Sequence, residues 1–395
     1  MRIAISGAGI AGPTLAYWLR RGGHETTLIE KSPQLRTGGY VIDFWGLGYD
    51  IAERMGLCAQ LDVAGYQVEE VRLVDRRGER VGGFPTSGFR RALGGRFTSV
   101  PRGDLAAMIH GAIADDVETI FGDTITKVSQ DDSGVQVELE HGGARDFDLL
   151  VGADGLHSPV RHLAFGPESR FEHDLGFRVA AFEARGYRPR DELVYVSHGL
   201  PRRMVSRFTM RDDRMMFLLV FTADQVRGPE PARIDEVKAL LHDVFADSSW
   251  ESRQILAALD SADDVYYDRV CQIRMDEWCN GRVALIGDAA AAVSLLAGEG
   301  TGLAMLEAYV LAGEIDRAGA EFATAFGRYQ QSLGPFIAGK QRAAERFASS
   351  FAPRTAAGVW ARNRLSRLLS YRGVGDWMIQ RQLHDDFRLP DYAAS

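Results

Sequence analysis

Three stretches of this chain place glycines beside a polar or charged residue at the end of an apolar run, a pattern suited to gripping a phosphorylated, hydroxyl-rich ligand. The first is Gly7-Ala8-Gly9-Ile10-Ala11-Gly12, reached directly from the apolar run Met1 to Ser6. Gly7 permits a tight turn, Gly9 lets the backbone approach a pyrophosphate, and Gly12 lets a helix pack closely on the preceding strand. Ile10 and Ala11 lead into that helix, whose unpaired N–H groups and positive dipole end favour a phosphate. Glu30, with Lys31 beside it, follows about 20 residues later, where a carboxylate accepts hydrogen bonds from ribose hydroxyls. The second stretch runs from Gly152-Ala153-Asp154-Gly155 to Ser158 and Arg161. The third is Gly287-Asp288, followed by the loop Gly298-Glu299-Gly300-Thr301-Gly302.

Each stretch needs a strand to deliver it. Met1 to Ser6 reads as strand, Pro13 to Arg21 as helix, and Glu25 to Ile29 as a second strand beyond the turn Gly22-Gly23-His24. That order, closed by an acid, is a dinucleotide-binding unit. Phe147 to Val151 and Gly281 to Ile286 read as further buried strands, and a helix is expected from Leu303 to Arg317. In an open parallel sheet the carboxyl ends of the strands face the ligand crevice, so all three stretches can converge on one molecule. Arg102 stands just before Asp104, the expected N-terminal cap of a helix running to Ala114.

The intervening chain reads differently. Val71 to Val74, Arg80 to Phe84, Arg178 to Glu183, Glu192 to His198, Met204 to Met210, Arg214 to Thr222 and Tyr266 to Ile273 read as strands, with one helix, Ile234 to Phe245, among them. This is the pattern of a second, mostly antiparallel domain that the chain visits twice. The expected fold is α/β. Residues 1–70, 98–165 and 270–340 are assigned to a discontinuous Rossmann-like domain, 71–97 and 166–269 to a substrate domain, and 341–395 to a C-terminal helical segment bridging the two.

At 395 residues the chain has room for two domains, and a net charge of −8 argues against a nucleic-acid binder. Cys58, Cys271 and Cys279 show neither CxxC nor metal-ligand spacing, and the histidines show none, so no metal site is expected. No apolar run reaches the roughly 18 residues of a membrane span. The first strand leaves no room for a signal peptide, and a cytoplasmic protein is expected.

The glycine stretch from Gly7, the segment Asp154-Gly155-Leu156-His157-Ser158-Pro159-Val160-Arg161, the pair Gly287-Asp288 and Arg102 in its Arg-x-x-Leu setting together resemble the flavin-dependent aromatic hydroxylases of the para-hydroxybenzoate hydroxylase type. The resemblance implies an FAD-binding domain in which Gly7, Gly9, Ile10, Ala11, Gly12, Glu30 and Lys31 hold the ADP half of FAD. It implies that Asp154 and Gly155 contact FAD and NAD(P)H, that Arg102 reaches the FAD linkage region, and that Gly287 and Asp288 hold the ribityl chain. Ribityl hydroxyls would supply the donors that a carboxylate at the end of a buried strand requires. Gly298, Gly300, Thr301 and Gly302 would then set N–H groups against the flavin pyrimidine edge, stabilising negative charge there on reduction. By the same resemblance NAD(P)H reduces FAD, O2 adds at flavin C4a, and the hydroperoxide transfers oxygen to an electron-rich ring or enol. The flavin, not a protein side chain, carries that chemistry. The chain departs from the family pattern at Ala291 and Ser294-Leu295, where a histidine and a proline are usual, and at Glu299, which replaces a glutamine.

Gly38-Gly39-Tyr40-Val41-Ile42-Asp43 is similar to the Gly-Gly-x-x-Leu-Asp segment of the tetracycline-inactivating monooxygenases, a trait shared with hydroxylases of polyketide aromatics. The expected substrate is a bulky phenolic or enolic polycycle, a tetracycline-like antibiotic being one candidate. Tyr40, Arg178, Phe182, Arg207, Phe208, Phe217 and Leu295 are the candidate pocket residues, although alternate strand positions are more often core. The tail from Gly339 is basic, with Lys340, Arg342, Arg346, Arg362, Arg364, Arg367 and Arg372, and carries Trp360 and Trp377. It is read as a bridging helix in preference to an amphipathic helix lying on a membrane. Two other functions fit the same residues: a flavin-dependent reductase or dehydrogenase, and a flavin-containing protein that sequesters its ligand without turnover.

Overall fold

The computed structural model describes residues 1–35, 40–370 and 386–392. Gly38, Gly39, Arg372 and Trp377 lie outside the described residues. A six-stranded sheet forms around the first strand, Arg2–Ser6, which lies between Glu25–Glu30 and Leu149–Gly152 and pairs parallel with both. Val283–Leu285 adds in parallel beyond Leu149–Gly152, and Glu118–Phe121 beyond Glu25–Glu30. The first strand is buried along Ile3 to Ser6, as a strand covered on both faces must be. Helix Ala11–Arg21 packs on one face through Leu15, Ala16 and Leu19 against the long helix Gly300–Ala318, which is buried from Leu303 to Ile315.

The second sheet has seven strands in the order Val265–Ile273, Glu172–Arg185, Arg214–Thr222, Arg203–Thr209, Val194–Leu200, Glu70–Val74 and Arg80–Pro85. All neighbours are antiparallel except Val194–Leu200 with Glu70–Val74. Its outer face is covered by helix Ile234–Phe245 and by a second helix, Ser252–Asp260, which was not expected. The signal for it lay in Ile255, Leu256 and Leu259, apolar at helical spacing and buried against the sheet. Asp104 does not cap its helix. Arg102–Gly111 starts three residues earlier, with Pro101 as N-cap and Asp104 in the first turn, where its charge still meets the positive dipole end.

Two buried amides tie the sheets. Gln272, on the strand Val265–Ile273, donates to Val293 O at 2.7 Å and to Gln341 O at 2.8 Å; Gln341 donates to Ile273 O at 2.7 Å. Gln341 lies on the helix Phe322–Ala348, which packs along Gly300–Ala318. Helix Ala356–Ser366 then lies over strand Arg80–Pro85, with Gly83 N–H donating to Ser366 Oγ at 2.8 Å. Residues 386–392 return to the first sheet's helices, where the Tyr392 ring fills the notch above Gly313 and its hydroxyl donates to Glu314 at 2.8 Å. The described tail thus touches both halves. No helix among the described residues is long and apolar enough to cross a membrane.

Gly48, on the helix Gly46–Arg54, lies tight against Gly302 of the long helix: a Cβ on Gly48 would stand 2.5 Å from Gly302 Cα. Neither helix can retreat, since Gly300–Ala318 is buried between the sheet and its neighbours. Gly48→Ala is expected to destabilise the protein by about 1–3 kcal/mol, read as a lowered urea midpoint with unchanged slope.

Candidate functional site

The sheet register brings the three glycine stretches together. Ser6 is level with Gly152, and Gly152 with Leu285, so the three strands end in one row. The chain leaves each strand through a bond to its neighbour: Gly7 N–H donates to Ile29 O at 2.7 Å, Ala153 N–H to Ser6 O at 2.8 Å, and Ile286 N–H to Gly152 O at 2.9 Å. Gly7 has φ +105°, and a Cβ there would lie 2.5 Å from Ala153 O. On Gly12 a Cβ would lie 1.9 Å from Gly7 O, whereas around Gly9 there is open space. The first and third glycines are therefore packing requirements, and the second faces room for a ligand.

Glu30 is half-buried at the end of its strand. Its carboxylate accepts from Ala8 N–H at 2.8 Å and Ser32 N–H at 2.9 Å, which aims it across the glycine turn with lone pairs to spare. Lys31 is exposed beside it. Asp154 accepts from Val160 N–H at 3.0 Å, from Ser6 Oγ at 3.3 Å and from the Ser158 hydroxyl. Burial raises its carboxyl, and those hydrogen bonds pull against that. Ser158 caps the helix Pro159–Phe165 by accepting Arg161 N–H at 2.9 Å. Asp154 is thus committed to the turn that Gly155, at φ +83°, completes. Arg161 is fully buried; it donates to Ala289 O at 3.0 Å, to Leu156 O at 2.6 Å and to Glu168 at 3.0 Å, and so ties the second stretch to the third.

Asp288 opens the short helix Asp288–Ala291 after Gly287, whose φ is +62°. Its half-buried carboxylate accepts no hydrogen bond from any described residue, and Oδ1 lies 3.7 Å from where a Cβ on Gly300 would stand. Burial raises its carboxyl; Arg102 and Arg161 draw it back. An orphaned acceptor facing glycines fits a hydroxyl-bearing chain. Arg102 heads its helix with its side chain open to water and its backbone N–H donating to Tyr40 O at 3.2 Å. Surrounding protein lowers the guanidinium, and Tyr40, Asp288 and Tyr266 outweigh that, leaving it raised. Gly298 lies near Trp45, with φ +71°, and Thr301 and Gly302 form the first turn of Gly300–Ala318. Below them Glu307 is buried, its carboxyl pushed up to about 8 by burial. It accepts from Gly287 N–H at 2.7 Å and from the Tyr329 hydroxyl at 3.2 Å, pinning the third stretch from beneath.

The candidate pocket residues divide between two faces. Arg178, Phe182, Arg207 and Phe217 are corrected: all four lie on the helix-covered outer face of the second sheet. Phe182 and Phe217 stack at 4.9 Å within the core beneath Leu241 and Ile255. Arg178 is held by Glu230 at 2.6 Å, and Arg207 by Glu251 at 2.9 Å and Asp191 at 2.8 Å. Strand alternation puts their odd-step neighbours inward instead. Phe208 is on the inward face, buried between Tyr66 and Tyr195 at ring distances of 5.4 and 4.4 Å. Tyr40 meets Tyr266 at 5.7 Å, and Leu295 and Tyr266 both pack against the cluster of Val179, Met204, Val220, Val270 and Leu296.

Several polar groups at this junction were missed. Asp43 accepts from Ser99 Oγ at 2.5 Å and from the Tyr195 hydroxyl at 3.5 Å, joining the two-stranded ribbon of Val41–Trp45 and Phe97–Pro101 to the second sheet; only its place after Gly38-Gly39 hinted at a role. Glu307 was visible as the one acid within the apolar run 303–312. Asp268, from the second sheet, meets His157 of the second stretch at 3.3 Å, which no local pattern announces.

The model of the FAD-binding domain family matches residues 1–318. The chain belongs to the family of FAD-dependent monooxygenases. It is 35% identical over 347 residues to a flavin-dependent monooxygenase from an unknown prokaryotic organism, covering 87% of each chain. It is 32% identical over 357 residues to a flavin-dependent monooxygenase of Legionella longbeachae, again covering 87% of each. Among solved structures it is similar to the tetracycline destructase Tet(51), with a TM-score of 0.84, 30% identity and 99% of both chains covered. The open space at Gly9 and the orphaned Asp288 fit the FAD that this family binds.

The pair between His157 and Asp268 makes a prediction for this monooxygenase. The Asp268 hydrogen bond raises the imidazole, burial opposes it, and Glu168 adds to the rise, so His157 is pushed up to about 9 from its ordinary 6.5. A raised histidine contributes stability fully below the unfolded value and loses it as pH climbs through the folded one. The side chain is half-exposed, so screening keeps the contribution modest. His157→Asn is expected to lower the urea midpoint below about pH 6.5, with the gap to the parent protein closing by about pH 9 to 9.5.

Proposed function

We propose that this monooxygenase takes two electrons from NAD(P)H and places one atom of O2 on a bulky phenolic or enolic polycycle, the second oxygen atom leaving as water. FAD, when bound, supplies the electron and oxygen chemistry. The protein's part is to bind, orient and exclude water. Gly9 and the first turn of Ala11–Arg21 would lie along the pyrophosphate, with Arg102 as a nearby cation. Glu30 would accept from ribose hydroxyls and Asp288 from the ribityl chain. The first-turn N–H groups of Gly300–Ala318 would face the pyrimidine edge, where they favour negative charge.

The observation that carries the substrate class is the junction of Tyr40, Tyr266 and Leu295. There the inward sheet face, rich in Met204, Met216, Leu218 and Phe208, comes down on the loop carrying Asp288. Burial raises the Tyr40 and Tyr266 hydroxyls, so both stay neutral; Tyr266 donates to Asp268 at 3.3 Å, and Tyr40 can donate to a substrate oxygen. Apolar walls with a few hydroxyl donors suit a flat ring system bearing oxygens. Tet(51), similar along the whole chain, bears the name of a tetracycline destructase, and tetracycline-like polyketides are within that class.

Two measurements test this function. In the FAD-loaded protein, one compound among tetracyclines, anthracyclines and simple phenols is expected to accelerate NADPH or NADH oxidation and to gain one oxygen atom by mass. Accelerated oxidation with a product lacking that atom would identify a reductase; ligand binding with no acceleration at all would identify a sequestering protein. Asp288→Ala is expected to weaken FAD binding at least tenfold, about 1.4 kcal/mol, in a flavin fluorescence titration.

A further inference from the structure

Glu299 is the N-cap residue of the buried helix Gly300–Ala318, and its side chain makes no capping hydrogen bond. A carboxylate at this position is drawn toward the helix's first N–H groups by their unpaired hydrogens and by the positive dipole end. In this chain it points elsewhere. Lys340, reaching in from the helix Phe322–Ala348, holds Glu299 Oε2 at 2.9 Å, with its ammonium 5.5 Å from the centre of the Phe336 ring. Both side chains are mostly buried, at 15% and 20% exposure, so solvent screens the pair less than it would a surface bridge. The pair borders a groove that Asp43, Phe44, Trp45 and Gly298 also line, the groove over which the helix's first turn opens.

We propose that Lys340 is a positioning residue that holds the Glu299 carboxylate off the first turn of Gly300–Ala318, leaving those N–H groups to the electron-rich edge of the flavin. The inference rests on FAD lying along this loop. Without the lysine, the carboxylate would swing onto the turn, consume the donors and set a negative charge beside a cofactor that becomes more negative on reduction. With the lysine, the local charge is balanced and the donors stay open. A neutral glutamine at residue 299 would need no such partner, so the cation and the acid form one device.

The test uses the full-length, FAD-loaded protein and reads FAD affinity by fluorescence titration and the midpoint potential by spectroelectrochemistry. Lys340→Met is expected to weaken binding of the reduced cofactor about tenfold relative to the oxidised one, a fall of about 30 mV for a two-electron couple. Glu299→Gln, which removes the negative charge beside the helix's first turn, is expected to move the potential upward. The double variant is expected to return close to the parent value, which distinguishes charge positioning from a packing role for Lys340. A double variant as low as Lys340→Met alone, or a potential that Lys340→Met does not move, overturns the proposal. If Asp288→Ala loses FAD while Lys340→Met is silent, the loop remains the cofactor site and only the role of Lys340 falls. If Asp288, Glu299 and Lys340 can all be replaced without effect on FAD, the siting of the cofactor fails as well. Should Lys340→Met not fold, the upward shift in Glu299→Gln still decides, since its absence overturns the proposal.

Discussion

The structure depends on three parallel strands ending level with one another. Because Ser6, Gly152 and Leu285 share a row, the loops that follow them emerge side by side, although some 140 and 130 residues of chain separate them in turn. Parallel pairing enforces this, since every strand must be re-entered from the same end and its exit loop must lie at the other. A slip of one register would put Ile3 and Ile5 on the face that Ala4 and Ser6 occupy and pull Asp154 away from Ser6. Ligand geometry is thus a consequence of sheet geometry.

Buried polar groups hold the loops in place once the strands have delivered them. Arg161, fully enclosed, bonds two carbonyls and a carboxylate, and one of those carbonyls belongs to Ala289 on the neighbouring loop. Glu307 supports Gly287 from below and is itself held by Tyr329. Such groups are costly to bury and are tolerated where partners satisfy them. Their effect is to give the loops around Asp288 one arrangement. Asp288 itself is left without a partner among the described residues, which is where the fold leaves hydrogen-bonding capacity for something else.

The second sheet works through its two faces. The outer one is closed by two helices and carries the ion pairs of the buried Arg178 and Arg207; the inward one brings aromatic and methionine side chains to the junction. Gln272 and Gln341 fasten that junction through the backbone carbonyls of Val293 and Ala292, in the loop following Asp288. The distance between the second sheet and the loop following Asp288 is thereby set by hydrogen bonds, with less reliance on the malleable contacts of an apolar interface.

Much of this was legible in the sequence. The glycine spacing from Gly7 to Gly12, the acid at Glu30, the Asp154 segment and Gly287-Asp288 are local signals, because each reflects what a few consecutive backbone atoms must do to turn sharply or approach a ligand. Strand periods were legible for the same reason, and so were most helix positions. Which face of a strand looks inward was not. Phe182 and Phe217 have the same period as Ala181 and Met216, one step out of phase, and only the placement of the helices Ile234–Phe245 and Ser252–Asp260 decides which phase is core. The pairings of Lys340 with Glu299, Asp43 with Ser99 and Tyr195, and His157 with Asp268 likewise join residues far apart in the chain. The sequence by itself determined the turns, the strands and the class of cofactor; the tertiary structure decided which side chains share the cleft, because charge pairing and burial depend on distance in space and not on distance along the chain.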